Sequence, residues 1–190
     1  MTTRMPSIET ERLLIRELAL DDLDAVHHVL NESFGDEPLE QRRTWLQWTM
    51  LNYECLGRLY QPPYGDRAVV RKADGVLVGT VGFVPSYAPV GLLPSFTTGT
   101  PADALHQPAF GMFWAVGAAY RGQGYASEAA RAMVEYAFTH LRLKRIVATT
   151  EHDNAASMAV MRHIGMRVER NPHADPPYFQ VMGWLENTII

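Results

Sequence analysis

The residues best suited to chemistry in this chain of 190 residues lie in one stretch, Tyr120-Arg121-Gly122-Gln123-Gly124-Tyr125-Ala126-Ser127-Glu128. Gly122 and Gly124 carry no Cβ, so the backbone can turn sharply there and a ligand can approach it closely. Ala126, Ala129, Ala130, Met133, Ala137 and Leu141 then recur at helical spacing, which predicts a helix over about 123–141. The first N–H groups of a helix have no acceptor within it, and they stand at its positive end. With the turn at Gly122 and Gly124, these N–H groups offer an anion site suited to a pyrophosphate, with Arg121 adding charge at the rim. The plainer alternative is a tight strand-to-helix turn that holds no ligand. Two familiar phosphate motifs are excluded: no G-x-x-x-x-G-K-[S/T] occurs, and Gly122-Gln123-Gly124 lacks the third glycine of G-x-G-x-x-G.

The elements that must position this turn follow from periodicity and breakers. Residues 10–17 read as a strand, and Asp21 and Asp22 open a short helix carrying Leu23, Val26, Val29 and Leu30. A break at 31–38 precedes a helix over about 39–60. Its apolar groups (Trp45, Leu46, Trp48, Met50, Leu51, Tyr53) occupy more than one face. That pattern predicts burial on two sides or an aromatic wall beside a groove. Strands at 66–73 and 76–84 flank Asp74-Gly75, a hairpin signal. A loop over about 85–108 is rich in Pro, Gly, Ser and Thr, and its Tyr87, Leu92, Leu93 and Phe96 must be covered by something. Further elements are a strand at 109–116, a strand at 144–151, a helix at 154–164, and strands near 166–170 and 178–186. The expected fold is a single α/β domain over 1–190. It has a mixed, mostly antiparallel sheet of about six or seven strands, helices on both faces, and one parallel crossover around 109–151.

Composition excludes several classes. Seventeen Lys+Arg against 21 Asp+Glu give a net charge of −4, which argues against nucleic acid or an anionic membrane as partner. No apolar run is long enough to span a bilayer, the first residues lack a signal-peptide core, and the default compartment is the reducing cytoplasm. The one cysteine, Cys55, excludes an internal disulfide and a CxxC metal site. His27 and His28 fall on a surface helix, His140 at a helix C-terminus where a cation suits the dipole, and His106, His163 and His173 show no paired ligand spacing, so no metal is expected.

Arg121-x-x-Gly124-x-Ala126 matches the acyl-CoA pyrophosphate signature of the GNAT superfamily of N-acetyltransferases, R/Q-x-x-G-x-G/A. Asn154-Ala155-Ala156-Ser157 and Ile164-Gly165-Met166 follow where that superfamily has an N-x-x-S element and an apolar–Gly–Phe element. The opening Thr10-Glu11-Arg12-Leu13-Leu14-Ile15-Arg16 resembles the first strand of the RimJ/RimL-type branch, which acetylates α-amines of ribosomal proteins. The resemblance covers nearly the whole chain apart from the 85–108 loop.

The resemblance implies acetyl-CoA as co-substrate and direct attack by a neutral primary amine, either a protein N-terminus or a small molecule. It implies a sheet splayed between its fourth and fifth strands. Trp114, Ala115 and Val116 would then offer backbone groups to the pantetheine arm, and residues 121–126 would hold the diphosphate. Asn154 would bond the pantetheine, cap the helix that follows it, or do both. In relatives a Glu on the fourth strand serves as base, and the matching position here is Gly111. The Tyr that others use as acid corresponds to Met161. Ser157 remains as candidate acid for the leaving thiolate or as a first-turn helix residue, and Glu151, with His152 and Asp153, as candidate base or as solvated loop. Trp45, Trp48, Tyr53, Tyr178 and Phe179 are candidate walls of the acceptor groove. The 85–108 loop would lie over the acceptor or against a second subunit of a homodimer. Loss of both usual catalytic side chains also suits a non-catalytic acyl-CoA-binding domain of the same fold. A nucleotide-binding module is a third option, distinguished by ATP or NAD binding that coenzyme A does not displace.

Overall fold

The computed structural model describes residues 4–96 and 106–188, so the middle of the predicted 85–108 loop lies outside the described residues. The elements are β1 (Ile8–Glu9), β2 (Leu13–Glu17), α1 (Leu23–Phe34), α2 (Leu39–Arg58), β3 (Gly65–Arg71), β4 (Leu77–Ala88), β5 (Gln107–Val116), α3 (Tyr125–Thr139), β6 (Arg145–Thr150), α4 (Ala155–His163), β7 (Arg167–Arg170) and β8 (Val181–Glu186). The strands hydrogen-bond in the order β1-β2-β3-β4-β5-β6-β8-β7, a mixed and mostly antiparallel sheet. Eight strands replace the expected six or seven because Ile8–Glu9 pairs with Leu14 and Ile15. Two residues are too short to show a period. Packing divides the chain into two compact units, 1–83 with 113–136 and 84–112 with 137–190. β4 and β5 each contribute to both.

In the first unit, α1 forms because Leu23, Val26, Val29 and Leu30 recur on one face and all four are buried. Gly35 ends it at φ +96°, donating its N–H to the Asn31 carbonyl at 3.1 Å. The break predicted at 31 therefore starts at Gly35, because the Asn31 side chain is held within the helix and accepts a bond from Arg42 Nη2 at 3.2 Å. α2 buries one stripe, Arg42, Leu46, Thr49 and Tyr53. The expected burial on two sides does not occur, since Trp48 and Leu51 are 58% and 63% exposed. Leu46, the α1 stripe, Ala68, Val70 and Ala115 form the core of this unit. Successive strand residues point to opposite faces. Arg67 therefore alternates with Ala68 along β3 and lies within electrostatic reach of Tyr136 of α3. The buried Arg67 guanidinium packs 5.0 Å from the Tyr53 ring centroid and 3.6 Å from Glu17 Oε1.

Asp66 shares the α1/α2 face of β3. Burial pushes its carboxyl up to about 7, against the opposing pull of the Arg42 charge. Between roughly pH 4 and 7 the folded chain therefore holds a proton that the unfolded chain has released, so Asp66 makes stability fall as pH rises through that window. We expect Asp66→Asn to abolish this fall. At pH 8 the variant should exceed the wild type by up to about 4 kcal/mol, since each tenfold change in proton affinity between the folded and unfolded chain is worth about 1.4 kcal/mol. Urea denaturation at pH 5 and pH 8 measures it, and an unchanged pH slope in the variant would refute it.

The Asp74-Gly75 hairpin forms as predicted. Gly75 adopts φ +72°, and the Asp74 carboxylate accepts bonds from Arg71. β4 runs on to Ala88 instead of stopping at Pro85. Its ladder with β3 ends at Phe83, so the missing N–H of Pro85 interrupts no pairing with that strand.

In the second unit, β8 pairs along its whole length with β6 and, over four residues, with β7. β5 and β6 pair in parallel at one register position, Gly111 with Val147. Leu92 and Leu93, expected to need cover, sit in the core of this unit with Phe179, Met182 and Trp184, and the Phe96 ring meets Trp184 edge-on at 4.9 Å. The described part of the loop thus begins after Ala88 and is fastened by its own apolar residues. No helix among the described residues is long and apolar enough to cross a membrane.

Candidate active site

Residues 121–124 form the turn between a short 3-10 segment, Ala118–Tyr120, and α3. Gly122 and Gly124 adopt φ +74° and +82°, a region that L side chains disfavour. Nothing stands within 4 Å of where a Cβ on Gly122 would lie, so the turn is open there. Among the described residues, no hydrogen bond takes up the N–H groups of Gly122, Gln123 or Gly124. An open glycine turn with unclaimed donors at the start of a fifteen-residue helix fits a diphosphate.

Long-range side-chain contacts brace this turn. Arg12 of β2 donates from Nε to Glu128 Oε2 at 2.7 Å and from Nη1 to the Gln123 carbonyl at 3.0 Å, and lies over the Tyr125 ring at 4.7 Å. Burial alone would raise the Glu128 carboxyl. Bonds from the Thr10 hydroxyl, the Arg12 N–H and the Arg12 guanidinium outweigh it and hold the carboxyl below its ordinary value. Glu128 is thereby charge-compensated and does not oppose an anion at the helix start. Arg121 donates to the Val116 and Glu32 carbonyls at 2.9 and 3.0 Å, tying the turn to the end of β5 and to α1. Gln123 Nε2 donates to the Ala119 carbonyl at 3.1 Å. Trp114, Ala115 and Val116 form the last residues of β5, with Ala115 buried.

In the second unit, Asn154 caps α4 by accepting the Ser157 N–H at 2.9 Å. Ser157 is half-buried on the first turn of that helix. Glu151 is exposed, and its carboxylate accepts a bond from the Thr150 hydroxyl at 3.3 Å. Asp153 is exposed, and the His152 N–H bonds the Gln180 side chain at 2.8 Å. Met161 is fully buried, its sulfur 2.9 Å from where a Cβ on Gly183 would lie, so it fills core.

A cavity of about 210 Å³ opens in the second unit, and among its lining residues are Ser86, Tyr87, Gly111, Thr149, Tyr178 and Phe179. No charged side chain lines it. Gly111 is enclosed: a Cβ there would lie 3.0 Å from both the Val84 carbonyl oxygen and Val84 Cγ2, and 3.1 Å from Ser86 Cβ. At the wall, His106 Nε2 lies 3.3 Å from the Tyr178 hydroxyl, and the His106 ring stacks on Tyr87 at 4.8 Å. Nothing in the spacing of residues 87, 106 and 178 signals this grouping. The other residues proposed as groove walls are placed elsewhere. Trp45 packs on the first core, Trp48 is exposed, and Tyr53 is buried with its hydroxyl on the Asp66 carbonyl.

The chain is similar to known proteins in sequence and in fold. Over 166 residues the chain is 28% identical to the uncharacterized N-acetyltransferase YnaD of Bacillus subtilis, covering 85% of this chain and 83% of that one. An acetyltransferase of the GNAT family from Bacillus anthracis superposes with a TM-score of 0.66 at 25% identity, over 94% and 95% of the two chains. RimL, the ribosomal L7/L12 alpha-N-protein acetyltransferase solved with coenzyme A, shares the fold at a TM-score of 0.65 and 16% identity, over 95% and 97%. Residues 12–167 match the acetyltransferase (GNAT) domain, and with the glycine turn ahead of α3 and the cap at Asn154 in place, the chain belongs to that family.

Proposed function

We propose that this chain transfers the acetyl group of acetyl-CoA to a primary amine, with a protein N-terminal α-amine as the acceptor class. The observation that carries the reading is the open turn at 122–124, whose N–H groups are unclaimed at the head of α3. Residues 121–126 bind the diphosphate, and the backbone of Trp114, Ala115 and Val116 offers donors and acceptors to the pantetheine arm. Acetyl-CoA supplies a thioester carbonyl open to attack by a neutral amine. The uncharged lining of the second-unit cavity supports a peptide α-amine over a polyamine, whose repeated cations would call for carboxylates. The RimL neighbour is an alpha-N-protein acetyltransferase, which supports the same class.

Asn154 keeps its side-chain NH₂ for a ligand, since its cap uses only the carbonyl oxygen. Ser157 donates its hydroxyl proton to the departing sulfur. Ser157→Ala is expected to lower turnover by roughly 100-fold, at the low end of general-acid effects, and to leave coenzyme A affinity within about twofold. Steady-state kinetics with calorimetry separates the two, and an unaltered turnover removes the role.

Enclosure of Gly111 and burial of Met161 favour a second reading, an acyl-CoA-binding domain without turnover. Both readings predict heat on titration with coenzyme A. Only the first predicts thiol release from acetyl-CoA when peptides with free N-termini are added. Silence over a panel of peptide and polyamine acceptors would leave the binding domain.

A further inference from the structure

The position where the resemblance places a carboxylate carries no side chain in this chain, and it is tight: a Cβ on Gly111 would lie 3.0–3.1 Å from the Val84 carbonyl oxygen and Ser86 Cβ, so those neighbours would have to give way to admit one. No other carboxylate lines the cavity, and Glu151 is exposed on the loop after β6. The proton that the attacking amine must lose therefore needs another acceptor. Two groups able to pass a proton meet beside the cavity: the hydroxyl of Tyr178, a wall residue, and His106 Nε2, 3.3 Å away. Tyr87, a second wall residue, stacks on the imidazole at 4.8 Å with 21° between the planes and so sets the ring's orientation. These contacts lie within one compact unit.

We propose that Tyr178 and His106 form a proton relay that replaces the missing carboxylate base. The proposal rests on the acetyl-transfer reading. With its ring proton on Nδ1, His106 accepts the Tyr178 hydroxyl proton at Nε2 as the Tyr178 oxygen takes the N–H proton of the attacking amine. The C–N bond forms and the C–S bond breaks. Ser157 protonates the leaving sulfur and recovers its proton from water, and His106 returns its extra proton to solvent. Tyr178 touches the acceptor and is the catalytic residue; His106 acts through it. Both side chains are exposed, so their loss removes little packing.

The test uses the full chain with acetyl-CoA and whichever acceptor gives the fastest thiol release. Tyr178→Phe and His106→Ala are each expected to lower kcat about 100-fold. The KM for acetyl-CoA and the Tm should hold. Added imidazole should restore His106→Ala at least tenfold and leave Tyr178→Phe unchanged, which a merely structural role for His106 does not predict. Wild-type kcat in either variant, or a His106→Ala loss that imidazole leaves untouched, overturns the relay alone. A wild type silent toward every acceptor overturns acetyl transfer and the relay together.

Discussion

Gly124→Glu is expected to weaken coenzyme A binding by about 100-fold or more while the protein stays folded. Three effects act in the same direction. Gly124 sits at φ +82°, where an L residue pays roughly 1–2 kcal/mol, so the turn itself is pulled out of shape. A Cβ there lies 3.3 Å from Arg12 Nη2, and the new carboxylate can draw that guanidinium away from Glu128 and the Gln123 carbonyl. A fixed negative charge also stands where the diphosphate would. Repulsion of about 1–4 kcal/mol near a protein surface already amounts to roughly five- to several-hundred-fold in affinity. Gly124→Ala carries the first effect without the charge and should lose less. Calorimetric titration with coenzyme A reads both variants, with circular dichroism as the control for folding. Equal affinity in Gly124→Glu and the wild type would remove the turn from the site.

A large loss of stability is expected at a residue without chemistry of its own, Gly79. A Cβ there would lie 2.3 Å from the Ala115 carbonyl oxygen and 3.3 Å from the Val116 Cα, both backbone atoms that cannot swing aside. Gly79→Ala must separate β4 from the end of β5 or distort both. Overpacking against mobile side chains costs about 1–3 kcal/mol, so a clash with backbone should reach or pass about 3 kcal/mol. For a chain of this length that is a fall in Tm of roughly 6–12 °C. The same shift displaces Ala115 and Val116, the proposed pantetheine contacts, so coenzyme A affinity should fall with stability. Gly183→Ala is the comparison: its Cβ would meet the Met161 and Met166 sulfurs at 2.9 and 3.1 Å, flexible side-chain atoms that can yield. Its cost should be the smaller of the two. Thermal denaturation of both variants decides the order, and a Gly79→Ala Tm within about 2 °C of the wild type would refute the argument.

Much of the architecture was legible because it is set by near neighbours in the chain. The alanine stripe of α3 announced a helix packed closely on its surroundings, and Ala129, Ala130, Met133 and Ala137 are all buried. Asp74-Gly75 and Asn154 read correctly as turn and cap because each acts through its own backbone or a residue within four positions. Where sequence reasoning failed, a distant element intervened. β4 passes through Pro85, and the apolar face of α2 is single although its composition suggested two. β1 exists only because β2 accepts it.

The order of residues by itself determined the turn at 121–124, the helix that follows it and the family that they mark, since glycine φ, helix periodicity and terminal donors are local properties of the backbone. Tertiary structure alone decided what surrounds them. Arg12 reaches Glu128 across 116 residues, His106 meets Tyr178 across 72, and Gly111 is shut in by the neighbouring residues Val84 and Ser86. Those contacts depend on which strands pair and in what register, and pairing is chosen by burial summed over the whole sheet, a quantity no short window of sequence contains.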